Sequence, residues 1–126
     1  MKLSTLFIIN TVVAGVFGLA FVLVPDTAMS FYGATLSPAG VLVARLFGAA
    51  LLGYAVLSWF TRNAEDSEAR KASLLGMFVG DAVGFIVALL GQLAGVVNAF
   101  GWSTVAIYLL LALGFGYFYF MKPSTS

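Results

Sequence analysis

The chain has 126 residues, 62% of them hydrophobic and only 9% charged, with a formal net charge of +1. A soluble domain carries about 25% charged residues, so this chain cannot cover itself with a hydrated surface, and its near-neutral balance offers no electrostatic footing for nucleic acid. Cysteine and histidine are both absent, which excludes disulfides, thiol chemistry, thiolate or imidazole metal sites, histidine-ligated haem and every histidine-based triad.

Four apolar runs succeed one another, over residues 3–24, 38–60, 72–94 and 102–121. Each holds roughly 20 to 24 residues, enough at about 1.5 Å per residue to cross a hydrocarbon core about 30 Å thick. Lys2 precedes the first run as it would in a secretory signal, but the run is about twice a signal's apolar length, so it is expected to be a retained span. In the connection PDTAMSFYGATLSP, Asp26 is expected to cap a short helical turn and Gly33 to end it. Met29, Phe31 and Tyr32 make that segment amphipathic enough to lie in a membrane interface. The second run opens at Ser37-Pro38, with Ser as N-cap and Pro at the first helical position. TRNAEDSEARK, before the third run, is the only sizeable hydrophilic stretch, and GVVNAFG, before the fourth, is short and uncharged. Tight connections favour antiparallel neighbours. The predicted fold is all-α: one transmembrane domain over residues 1–126, an up-down four-helix bundle.

Four crossings place the N-terminus, the middle loop and the C-terminus on one side. That side holds Lys2, Arg62, Arg70, Lys71 and Lys122, and the opposite loops hold no Lys or Arg. The positive-inside rule then makes both termini cytoplasmic. Trp59, Phe60 and the cluster Tyr117, Phe118, Tyr119 and Phe120 form an expected inner aromatic belt, with Tyr32, Phe100 and Trp102 on the outer side.

Small residues recur at four-residue spacing. The third run carries Gly76, Gly80, Gly84 and Ala88, and the second carries Gly40, Ala44 and Gly48, with Ala49 and Gly53 beside it. Ala14 and Gly18 in the first run, and Ala112 and Gly116 in the fourth, are similar. Helices in lipid associate through close backbone approach, which small residues permit. These rows are expected either to pack the bundle internally or to present one stripe to another subunit or a flat apolar ligand.

Two charges lie inside the spans, Arg45 and Asp81. Asp81 is ten residues past Lys71, roughly 15 Å in and near the midplane. Arg45 is seven past Pro38, roughly 10 Å from the opposite surface. An isolated charge at such depth costs about 2.5–3.5 kcal/mol, and consecutive antiparallel helices with opposite charges at similar depth point to a pair. A structural reading makes Arg45 and Asp81 a register-fixing ion pair; a functional reading makes them a proton relay or the polar anchor for a ligand head group. A third option sends Arg45 outward to Asp26 or lipid phosphate. Asn10 and Gln92 are expected to be interhelical hydrogen-bonding residues, and Tyr54 and Tyr108 ordinary membrane aromatics.

No nucleophile or acid–base pair stands in a recognisable motif, so a non-enzymatic protein is expected. The chain matches small multidrug exporters and fluoride channels in size and helix count. It lacks the first-helix Glu of the exporters and the Asn- and Phe-rich pore signature of the channels. ARLFGAALLGYAVLSW, residues 44–59, together with PDTAMSFYG, residues 25–33, resembles the small four-helix bacterial membrane proteins of unknown function grouped loosely with the DoxX-like families. That resemblance implies a four-helix bundle in a bacterial cytoplasmic membrane, near redox or lipid-handling machinery, and supplies no catalytic residues. Two functions follow. One is an accessory or assembly subunit that grips other membrane subunits, or itself, through glycine stripes. The other is a binder or carrier of a quinone, carotenoid or lipid, its head held by Arg45 and Asp81. An internal cavity lined by these residues and by aromatics would favour the second.

Overall fold

A computed structural model describes residues 1–121; Lys122, counted above among the cytoplasmic cations, lies outside them. The first helix, α1 (Leu3–Leu23), stops at Val24 because a proline follows. Pro25 then occupies the first position of the short α2 (Pro25–Ser30). Asp26 does not cap this helix. Val24 is the N-cap, without a side-chain bond, and Asp26 lies in the first turn, where a carboxylate complements the helix dipole. Gly33 ends the segment as expected. At φ +74° it lets the amides of Gly33 and Ala34 return to the carbonyls of Ser30 and Met29, at 3.0 and 3.2 Å, which closes the orphan carbonyls of the last turn.

The start of α3 (Pro38–Thr61) follows the sequence: Ser37 Oγ accepts from Gly40 N–H at 3.0 Å, and Pro38 stands first. By contrast α4 (Glu68–Leu93) begins four residues before its apolar run, because Ser67 Oγ accepts from Arg70 N–H at 3.2 Å. The charged turn is therefore helical. Gly95, at φ +75°, terminates it with the same double return of amides, onto Gln92 and Gly91. The last helix, α5 (Gly101–Gly116), widens into a π-helical turn over Tyr117–Met121.

Four helical stretches, Leu3–Leu23, Pro38–Thr61, Glu68–Leu93 and Gly101–Met121, are long and apolar enough to cross a membrane. They associate as two antiparallel hairpins, α1 with α3 and α4 with α5, whereas the sequence neighbours α3 and α4 barely meet. At the α1–α3 crossing, a Cβ on Gly48 would lie 2.8 Å from Gly18 O and 2.9 Å from Val22 N. Such a backbone-to-backbone approach is open to glycine alone. The hairpins join at one end, where Leu3, Leu6 and Phe7 of α1, Leu74 and Met77 of α4, and Leu111 and Phe115 of α5 form the buried core with Phe118. The rings of Phe7 and Phe115 sit 5.4 Å apart there. Phe118 thus belongs to the core while Tyr117 and Phe120 stay exposed, so the four-residue aromatic cluster is divided between two environments.

At the other end, polar contacts tie the two connections together. Asn98 N–H donates to Tyr32 O at 2.9 Å, Asn98 Nδ2 donates to Phe31 O at 3.2 Å, and the Tyr32 hydroxyl meets Thr104 Oγ1 at 2.6 Å. Tyr32 is consequently buried, whereas Phe31 is exposed. Of the three residues expected to face an interface, Tyr32 has turned inward.

Candidate functional site: a cavity between the hairpins

Because the hairpins join at their ends and α3 stands away from α4, a space of about 510 Å³ remains between them. This lies within the roughly 300–1,000 Å³ typical of small-molecule sites. Its wall is mostly aliphatic and aromatic, with Phe17, Phe21 and Phe47 toward the end closed by Tyr32, and Tyr54 and Tyr108 beside Asp81.

Asp81 is the one acidic residue on this wall. It stands about midway along the 26 residues of α4. The residue is 3% exposed and its Oδ2 has no hydrogen-bond partner. The Arg45–Asp81 pair expected from the sequence does not form. Arg45 is on the exposed side of α3 and does not line the cavity, and the salt bridge found among the described residues joins Arg70 and Asp66 at 3.5 Å. The expectation took consecutive helices for packed neighbours. Here α3 gives its inner face to α1, and Arg45 is left on the other.

The small residues of α4 have a different use from the one their spacing suggests. A Cβ at Gly80 would run into the Tyr54 hydroxyl, and one at Gly84 into the Tyr108 ring. These glycines are slots that admit tyrosines from α3 and α5 to the cavity wall, rather than seats for another backbone. Ala88 lines the same wall. Gly76 has nothing within 4 Å of a Cβ position, and Gly40 meets only its neighbours Leu36 and Ser37. Ala44 is half-buried. The seven-residue packing set is thus divided: Gly48 makes the interhelical approach, Gly80, Gly84 and Ala88 shape the cavity, Ala44 is half-buried off the cavity wall, and Gly40 and Gly76 do neither.

Asn10 behaves as expected. Its Nδ2 donates to Ser58 Oγ of α3 at 2.6 Å and contacts Met77 Sδ of α4 at 3.6 Å, tying three helices at the cavity floor. Gln92 does not reach another helix through its amide nitrogen, which donates to Asn98 O at 3.0 Å. Its buried Oε1, set against Gly101, has no hydrogen-bond partner. Sequence reasoning passed over Tyr54 and Tyr108 as site residues. The readable signal was Gly80 and Gly84, since a glycine slot beside a buried acid marks room reserved for a large side chain.

The site can hold a molecule and offer it a carboxyl group. Among the described residues no cluster of His, Cys, Asp or Glu could hold a metal ion.

A family model described as "Domain of unknown function (DUF8292)" matches residues 1–121, and the chain belongs to this family. The match assigns no activity, and it gives no link to the DoxX-like families. No curated protein and no solved structure matches the chain.

Proposed function

We propose that this protein is an integral membrane protein that binds an apolar small molecule between its two hairpins, with Asp81 holding the polar end. The observation that carries this reading is the cavity of about 510 Å³ with a 3% exposed, unpartnered carboxyl on an otherwise apolar wall. A buried polar atom left without a partner costs about 1–3 kcal/mol, and a ligand that supplies the partner recovers that loss. Quinones, carotenoids and lipids have the apolar bulk the wall calls for; Arg45, on the outer face, takes no part. The end carrying Lys2, Arg62, Arg70 and Lys71 faces the cytoplasm in this reading, because the connections at the far end contain no Lys or Arg. The sequence resemblance adds a bacterial cytoplasmic membrane as the setting.

An accessory-subunit role is a second reading. It is favoured by Arg45, a charge exposed on the apolar face of α3, and by the open outer position of Gly53. One preparation separates the two: gentle extraction from native membranes, followed by mass spectrometry of co-purifying proteins and small molecules, alongside an Ala88→Trp variant that fills the cavity. A defined small molecule that is lost in the folded variant supports the binder. Stoichiometric protein partners retained by both forms, with no small molecule in either, support the subunit.

A further inference from the structure

The geometry points to a lipophilic cation as the ligand: an amine or onium head on Asp81, with its apolar body among the aromatic rings of the cavity. This inference rests on the binding role proposed above and sharpens its chemistry.

Three observations carry it. First, the cavity wall is charge-asymmetric: it contains Asp81 and no Lys or Arg. Among the described residues, Arg45 stands outside on α3 and Arg70 is turned to Asp66. Among the described residues no Lys or Arg pairs with Asp81. Second, both unpartnered buried side-chain atoms on this wall, Asp81 Oδ2 and Gln92 Oε1, are acceptors. A ligand that brings N–H donors or positive charge satisfies both, whereas a neutral carbonyl compound can accept only from Asp81 in its protonated form and leaves Gln92 Oε1 without a donor. Third, aromatic residues stand beside the acid. Tyr54 from α3 and Tyr108 from α5 stand at the glycine slots flanking Asp81 on α4, with Phe17, Phe21 and Phe47 farther along the wall. Ring faces attract cations most strongly where water is excluded. A carboxyl group beside aromatic rings in an apolar cavity suits a large cation of low hydration, whereas a small inorganic ion would forfeit its water shell for too few oxygen ligands.

The test uses the full-length protein in lipid nanodiscs and two probes of similar size. One is methyltriphenylphosphonium; the other is triphenylphosphine oxide, which is neutral and carries a strong acceptor. Binding of each is measured by calorimetry on the natural protein and on Asp81→Asn. The expected result is a preference for the cation on the order of tenfold or more, as a desolvated cation–aromatic and ion-pair contact provides. Asp81→Asn should abolish the preference while leaving the neutral probe bound within about twofold. Equal affinities, or tighter binding of the oxide, would overturn the cation assignment and leave the cavity as a site for neutral molecules. If neither probe binds, the binding role itself falls. Should Asp81→Asn fail to fold, the ratio of the two affinities on the natural protein still decides between these outcomes.

Discussion

Replacing Gly48 with alanine tests how the α1–α3 hairpin is built. The added Cβ would sit 2.8 Å from both Gly18 O and Val22 Cγ2, and 2.9 Å from Val22 N. Two of these three atoms are backbone, so no rotamer change relieves them. Ordinary contact begins at 3.4 Å, so the helices must separate by about 0.6 Å at their crossing, or bend, and contacts on both sides loosen with them. Overpacking of this kind costs about 1–3 kcal/mol. Alanine is intrinsically the better helix former by about 1 kcal/mol, so the measured loss is the difference between the two effects. Gly53→Ala, on the same helix with nothing within 4 Å, isolates the propensity term and should be neutral or stabilising. Thermal unfolding in a mild detergent, followed by circular dichroism, compares the pair. Gly48→Ala should melt lower than Gly53→Ala by an amount equivalent to about 1–3 kcal/mol. Equal melting temperatures would refute the close approach at Gly18 and with it the pairing of α1 with α3.

Other substitutions probe the remaining features. Arg45→Gln should change stability by less than about 0.5 kcal/mol, as for an exposed residue; a loss of about 3–5 kcal/mol would mean that Arg45 has a buried charged partner after all. Asn10→Ala should cost about 0.6–1.7 kcal/mol by removing the bond to Ser58, and in a double-mutant cycle Ser58→Ala should add little once Asn10 is gone. Tyr32→Phe should speed amide exchange of Asn98, whose N–H donates to Tyr32 O, because the anchoring contact with Thr104 is lost; unchanged exchange there would show that the Asn98 bonds hold the cap unaided. Gly84→Leu should displace the Tyr108 ring and shrink the cavity, so it should weaken binding of any probe, charged or neutral, with helix content unchanged by circular dichroism.

Local chemistry was legible where it acts over a few residues. Ser37-Pro38 predicted the start of α3, and Gly33 predicted the end of the segment after α1, because caps and left-handed turns are settled by neighbours in the chain. The start of α4 was missed because the run was judged by hydropathy, whereas Ser67 caps a charged turn that hydropathy does not see. Arg45 and Asp81 were found as residues but misread as a pair. Each is conspicuous by composition alone, yet their relation depends on which faces α3 and α4 turn inward. The tyrosines of the site could not be named for a similar reason: Gly80 and Gly84 beside Asp81 signal room for large side chains, but nothing near Tyr54 or Tyr108 in the chain says that these are the ones that fill it.

The sequence by itself determined the four long apolar helices, the cap at Ser37 and the turn at Gly33, the clustering of Lys and Arg in the connections on one side, and the presence of a lone acid midway along α4. All of these follow from residue type and spacing within a single element. The tertiary structure decided that the helices pair as α1 with α3 and α4 with α5, that Asp81 faces a cavity while Arg45 faces outward, and that Gly80 and Gly84 admit side chains instead of a helix. Almost every face of these helices is hydrophobic, so the pattern of polarity does not say which face is inside. Steric fit between elements distant in the chain, at Gly18 and Gly48 above all, makes that choice.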